Sequence, residues 1–339
     1  MTQALLLGSG PFNSMREFYD VALSELGEHL IAVPNGSPNR PRWVVDVINR
    51  LATQSAFYTK KEGDWSDYDH GSRLGLRVST LNTFDINLGY NDLFEEEIHE
   101  YLDAMERFGL NIPYLETVPH PFDTSIFALG PVVGFRNRKA FYDAVVREMH
   151  RIYSSANIPL IFQLEYPVPT VGAMQAPFLI PLLSYLVAPQ DFIAVGGRVG
   201  GHPCLGDLGH KAKGKLKSVR HMMSFINSVD ARALRNDSVF EYMHVPLAEG
   251  EKTPITDPSF YDDFCLLNIH PKTKLVAGFL HEGLTDSEVG RILGGIRRAV
   301  KRSSVPDRVV HVAASCGLAR RPREAAMATI RQAKWCCER

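Results

Sequence analysis

The chain has 339 residues, 45% hydrophobic and 22% charged, with a formal net charge of -1. That composition predicts a soluble globular protein with a sizeable core. It removes the electrostatic case for nucleic acid, which calls for a basic surface; the basic run HKAKGKLKSVR (210–220) reads as a solvated loop.

In chain order, MTQALLLGSGPF (1–12) lacks a basic leader and holds only a strand-length apolar run, which predicts no signal peptide. ALLLGSG (4–10) predicts a strand and SMREFYDVALSELG a helix, followed by the strand LIAVPNG (30–36) and the helix PRWVVDVINRLATQ. Residues 55–92 are polar and aromatic-rich without a clear period. They predict an insertion after the second β-α unit, either a lid or a surface excursion with its own small cluster. EEEIHEYLDAMERFG (95–109) predicts a helix with an acidic start.

The rhythm then becomes regular. SIFALGPVV leads to KAFYDAVVREMHRIYSSA, IPLIFQLEYP to APFLIPLLSYLVA, and DFIAVGGRVGGHPC to VRHMMSFINSV. SVFEYMHVPL leads to SFYDDFCLLN, KLVAGFLHEG to DSEVGRILGGIRRAVKR, and RVVHVAASCG to PREAAMATIRQAKWCCE. About eight strand–helix units imply an α/β fold with a parallel sheet, and over this length a single (β/α)8 TIM-type barrel spanning 1–339. GSGPFN departs from the G-x-G-x-x-G that an open dinucleotide-binding sheet requires. AMQAPFLIPLLSYLVA (173–188) carries two prolines and reads as a buried helix, so no membrane partner is expected. Five scattered cysteines argue against a disulfide framework and place the chain in the cytoplasm, with thiols free to bind metal.

A barrel carries its chemistry where the strands end. The fifth strand ends in His202 and Cys204, the sixth in His244, the seventh in His281 and the eighth in Cys316. His202, Cys204 and Cys316 offer one nitrogen and two thiolates, a donor set suited to zinc. His244 is a candidate fourth ligand. Glu241 is the alternative on the same strand, and strand parity puts it on the opposite face. The bland reading is a tight turn with buried cysteines acting as small hydrophobes, as expected for Cys265. Cys336 and Cys337 are expected to be inert.

These elements resemble the catalytic barrel of cobalamin-independent methionine synthase, in the superfamily that includes uroporphyrinogen decarboxylase. GGHPCLGD matches its His-x-Cys pair, SCGLARR its C-G-L motif, LGPVVGF its G-P-V segment and FQLEYP its Q-x-D-E-P strand. The length matches the catalytic half of the synthase. The resemblance implies Zn2+ on His202, Cys204, His244 and Cys316, with His281 transferring a proton. It also implies substrate contacts from Ser9 and Glu165, and a methylated folate as donor. Where the family has an acidic G-E motif, this chain reads PNGSPN with Ser37, which removes the carboxylate expected to hold an ammonium group. Arg320, after C-G-L, is a candidate clamp for a substrate carboxylate. The expected activity is zinc-dependent methyl or alkyl transfer to a small-molecule thiol other than homocysteine. A lyase or decarboxylase without thiol alkylation, and a non-catalytic binding barrel, are the alternatives.

Overall fold

The computed structural model describes residues 1–40, 42–187, 192, 197–235 and 238–339. Its first elements are β1 (Ala4–Leu5), α1 (Met15–Glu25), β2 (Val33–Pro34), α2 (Trp43–Ala52), the hairpin β3 (Phe57–Lys61) and β4 (Arg73–Leu76), and α3 (Tyr90–Phe108). There follow β5 (Tyr114–Pro119), α4 (Pro121–Leu129), α5 (Pro131–Ser155), β6 (Leu160–Glu165), α6 (Pro167–Gln175) and α7 (Ile180–Leu186). The remainder comprises β7 (Arg198–His202), the small hairpin β8 (Asp207–Leu208) and β9 (Lys211–Ala212), α8 (Val219–Leu234) and β10 (Tyr242–Pro246). The chain ends with a 3-10 segment (Pro258–Leu266), β11 (Lys274–Leu280), α9 (Asp286–Val300), β12 (Val310–Ala314) and α10 (Arg323–Cys337).

Eight strands form one parallel sheet in the order β1, β12, β11, β10, β7, β6, β5, β2. A bridge between Ala4 and Leu30, with the Ile31 amide donating to the Ala4 carbonyl at 2.9 Å, brings the two edges together. The expected (β/α)8 barrel is therefore what the chain forms. No helix among the described residues is long and apolar enough to cross a membrane.

Side chains of alternate residues fill the barrel interior. Leu5, Leu7, Ile31, Ala32, Leu115, Ile161, Tyr242, Val276 and Ala313 form a buried cluster separate from the main core. Above it the interior is polar: the Tyr242 hydroxyl donates to Gln163 Oε1 at 2.7 Å, and Gln163 Nε2 donates to Glu165 at 3.3 Å. The glycines before His202 make room for this packing. A Cβ at Gly200 would lie 2.1 Å from the Tyr242 ring, and one at Gly201 would lie 2.6 Å from the Tyr166 hydroxyl.

Three expectations change. AMQAPFLIPLLSYLVA is not one buried helix: α6 ends at Gln175, a 3-10 turn covers Pro177–Leu179, α7 runs Ile180–Leu186, and Phe178, Leu182 and Tyr185 are exposed. SIFALGPVV is not a strand: residues 125–129 belong to α4, and the strand at that place in the barrel is β5. Pro121 at the first turn starts α4, the His120 imidazole caps it, and Gly130 at φ +79° ends it. Almost every side chain of α4 is buried, so it shows no amphipathic period. The segment Pro258–Leu266 is a 3-10 helix, not an α-helix. Of the expected strand over 191–204, residues 191 and 193–196 lie outside the described residues, and Arg198–His202 pair in the sheet.

The insertion holds the β3–β4 hairpin. Tyr68, in the loop between its strands, stacks on Phe127 of α4 with ring centroids 5.2 Å apart. Lys213, just past β9, binds both carboxylate oxygens of Asp69 at 2.6 Å. This ion pair ties the insertion to the loop that follows the His-x-Cys pair.

Candidate metal centre and substrate cavity

His202 ends β7, Cys204 follows two residues later, and Cys316 follows β12. Gly317 lets this last loop lie against the segment that follows β1: a Cβ there would be 2.8 Å from the Leu7 carbonyl oxygen. The sequence-distant cysteines consequently meet. Their Sγ atoms are 3.8 Å apart, and together with one nitrogen of His202 they form a three-donor cluster with all separations within 4.8 Å. Two thiolates at ~2.3 Å from a tetrahedral zinc ion stand about 3.8 Å apart, so the observed spacing fits that ion.

The two thiols are hydrogen-bonded to each other. The hydrogen bond to Cys316 and burial hold the Cys204 thiol well above its ordinary range. The hydrogen bond from Cys204 draws Cys316 down despite burial, with help from Arg320, whose guanidinium donates to Cys316 Sγ at 2.9 Å. Arg320 is thus directed at the Cys316 sulfur and at Asp207, 3.6 Å away.

His244, the expected fourth ligand, is not one of the three donors of that cluster. Its Nδ1 lies 2.9 Å from Nδ1 of His202, and its Nε2 lies 3.0 Å from the carbonyl oxygen of Ala314. Burial pushes its pKa down to about 4, against the pull of the Ala314 and Pro203 carbonyls. His202 is also held well below its usual value, by burial first and then by His244 and Arg320. Both rings are therefore neutral at physiological pH. Glu241, on the other face, pairs with Arg198 and Lys274 and takes no part.

Cys204, Cys316, Asp207 and Arg320 line one side of a cavity of about 80 Å3. Ser9, Asn35, Arg40, Trp43, Tyr68 and Tyr90 line more of it, with Thr117 and Glu165 contributed by β5 and β6. Ser9 and Glu165 both line this cavity. The Ser9 hydroxyl donates to the Arg40 carbonyl at 3.3 Å. Burial raises Glu165 to about 7, opposed by Arg320 and by hydrogen bonds from Trp43 and Gln163. The buried hydroxyls of Tyr90 and Thr117 have no hydrogen-bond partner in the protein, and such groups are ordinarily satisfied by ligand or solvent.

Ser37 is buried but is not among the lining residues. Its amide donates to Asn35 Oδ1 at 3.3 Å, and its hydroxyl accepts from the Asn39 amide at 3.4 Å. The cavity wall at this loop is supplied by Arg40, which pairs with Glu116 at 3.2 Å and with Glu97. His281 does not reach the cavity either. Its Nε2 donates to the Gly250 carbonyl at 3.2 Å and its Nδ1 accepts from the Gly283 amide at 3.0 Å, so both ring positions are used.

His210, His281 and Glu282 make a second group of potential donors. Arg321 bonds Glu282 directly, and the carboxylates of Asp207 and Glu282, 3.7 and 3.5 Å from the His210 ring nitrogens, raise His210 to about 9. A guanidinium and a protonated imidazole already balance these carboxylates, which disfavours a cation there.

No protein-family model matches the chain. No curated protein matches it either. Solved structures do. A B12-independent methionine synthase from Shewanella sp. W3-18-1, solved with selenomethionine, superposes with a TM-score of 0.61 at 11% identity over 100% of this chain and 98% of that one. A candidate vitamin-B12-independent methionine synthase from Listeria monocytogenes gives 0.55 at 13% identity, over 96% and 85% respectively.

The chain shares the fold of these synthases. The likeness extends over the whole barrel and is one of architecture.

Arg40, Tyr68, Tyr90, Asp207 and Thr117 were not singled out by the sequence. For Asp207 a signal existed, since it closes the HPCLGD element; for Arg40 and Tyr90, in irregular segments or at a helix start, none did.

Proposed function

We propose that this protein is a zinc-dependent methyl or alkyl transferase that activates a small thiol other than homocysteine. The observation that carries the reading is the convergence of His202, Cys204 and Cys316 at the rim of the barrel, beside a cavity of substrate-facing polar groups. The Shewanella protein of the same fold was solved with selenomethionine, a molecule bearing a methylated chalcogen. The family resemblance adds a methylated folate as donor.

His202, Cys204 and Cys316 would hold the ion, which supplies the Lewis acidity that lowers a thiol's pKa toward neutrality. Occupancy would require both Cys204 and Cys316 to lose their thiol protons. Arg320 steadies the Cys316 sulfur and keeps compensating charge beside it. Glu165, poised near 7 at the cavity wall, accepts the substrate's S–H proton as sulfur turns nucleophilic. Tyr90 and Thr117 offer hydroxyls that orient the acceptor's polar end. At the loop where the family has its acidic motif, Ser37 is turned away from the cavity and Arg40 lines it, so that loop offers no carboxylate to an ammonium. This supports an acceptor other than homocysteine.

Elemental analysis of protein refolded or purified with zinc, with thiol-alkylation assays, tests the reading. One zinc per chain is expected, and Cys316→Ser should abolish both zinc retention and activity. Full activity in a zinc-free chain would replace this reading with the metal-independent lyase chemistry considered above.

A further inference from the structure

We propose that His244 is not a fourth metal ligand but the positioning residue that orients His202, so that the substrate thiol itself completes the coordination. The inference rests on the zinc reading above and concerns what each histidine at the rim does.

The argument is one of proton accounting. The Ala314 carbonyl oxygen can only accept, so His244 Nε2, 3.0 Å away, carries a hydrogen. In a neutral ring that leaves Nδ1 of His244 as a lone pair. It faces Nδ1 of His202 at 2.9 Å, and the assignment that satisfies both the 2.9 Å and the 3.0 Å contacts puts the one hydrogen between these rings on His202. Nε2 of His202 is then the unprotonated atom. It is buried and has no hydrogen-bond partner in the protein. An orphaned lone pair on the ring that joins the two cysteines is what a soft metal ion requires.

The barrel is shaped around this relay. His244 is wholly buried, and Gly278 on the neighbouring strand leaves space for its ring: a Cβ there would lie 2.3 Å from His244 Nε2. With both nitrogens of His244 engaged, the described residues offer the ion three donors, one imidazole and two thiolates. The thiol substrate would add to that set without displacing a protein ligand.

Three measurements on the full-length chain test this. In the metal-free protein, long-range proton–nitrogen correlation of the histidine rings should find His202 protonated at Nδ1 and His244 at Nε2. A His202 ring protonated at Nε2 would overturn the relay. In the cobalt-loaded protein, X-ray absorption should find one imidazole and two sulfurs from the chain, and 3-mercaptopropionate should add a third sulfur with no loss of nitrogen. Two imidazoles in that sphere would make His244 a ligand. Finally, His244→Leu should weaken zinc binding about 10- to 100-fold, while His244→Gln, whose amide can accept from His202 and donate to Ala314, should restore most of it. Equal losses in the two variants would count against positioning. A wild-type chain that takes up no zinc or cobalt overturns the function proposed above, and the tautomer measurement then decides the relay by itself.

Discussion

Gly278 shows how narrowly the rim is fitted at the scale of single residues. A methyl group there would collide with His244 and come within 2.9 Å of the Ala314 carbonyl oxygen, neither of which has free space behind it. Gly278→Ala is expected to cost about 1–3 kcal/mol, the usual range for overpacking. Zinc affinity should fall with it, as read by chelator competition alongside thermal unfolding. His210 gives a second residue-scale expectation. Its folded-state pKa of about 9 lies above the ordinary value near 6.5, because Asp207 and Glu282 favour the protonated ring. The stability it contributes is full below about 6.5 and is lost as pH rises through about 9. Wild type should therefore lose more Tm than His210→Gln between pH 6.5 and 9. Glu165 titrates in the catalytic direction: activity should rise with pH through about 7 as it ionises, and Glu165→Gln should remove that rise.

Among the elements, the pair α4–α5 is the one that depends most visibly on a single small side chain. Gly134 of α5 lies against the backbone of α4, where a Cβ would come within 2.3 Å of the Ser125 carbonyl oxygen. Gly134→Ala should force these helices apart and lower Tm, with little effect on zinc stoichiometry because the proposed ligands His202, Cys204 and Cys316 lie at the ends of β7 and β12. The same region marks where sequence patterning stops short. A strand-length apolar run such as SIFALGPVV carries no period that separates a buried helix from a buried strand. The real strand, YLETVP, breaks its apolar pattern with Glu116 and Thr117, one bonded to Arg40 and the other facing the cavity. Rim residues were easier to read because strands in this architecture end on their reactive side chains. The partition between ligand and positioning residue was not legible, since His202 and His244 are the same residue type at equivalent strand ends. Only their mutual distance and the Ala314 carbonyl distinguish them.

For the whole molecule, barrel closure is uneven. β1 and β2 contribute two residues each to the sheet, and the seam between them is the Ala4–Leu30 bridge, whereas β10 and β11 pair over five consecutive residues. Amide exchange at Ile31 should consequently be faster than at β10 and β11, since fewer cooperative hydrogen bonds must open there. Equal protection along both would show that helices α1 and α2 clamp the seam from outside. The length and the strand–helix rhythm were enough to anticipate the barrel. The place of closure was not, because it depends on a bridge lying outside the regular strands.

The Tyr68 roof over the cavity has a kinetic consequence. A space of about 80 Å3 is well below the several hundred cubic ångströms that small-molecule sites usually enclose, so the proposed methyl donor and its acceptor would not both fit while Tyr68 rests on Phe127. The proposed transfer would then need the hairpin to swing outward and the Asp69–Lys213 hook to let go. Because that hook is exposed to solvent, added salt should loosen it and quicken the opening step.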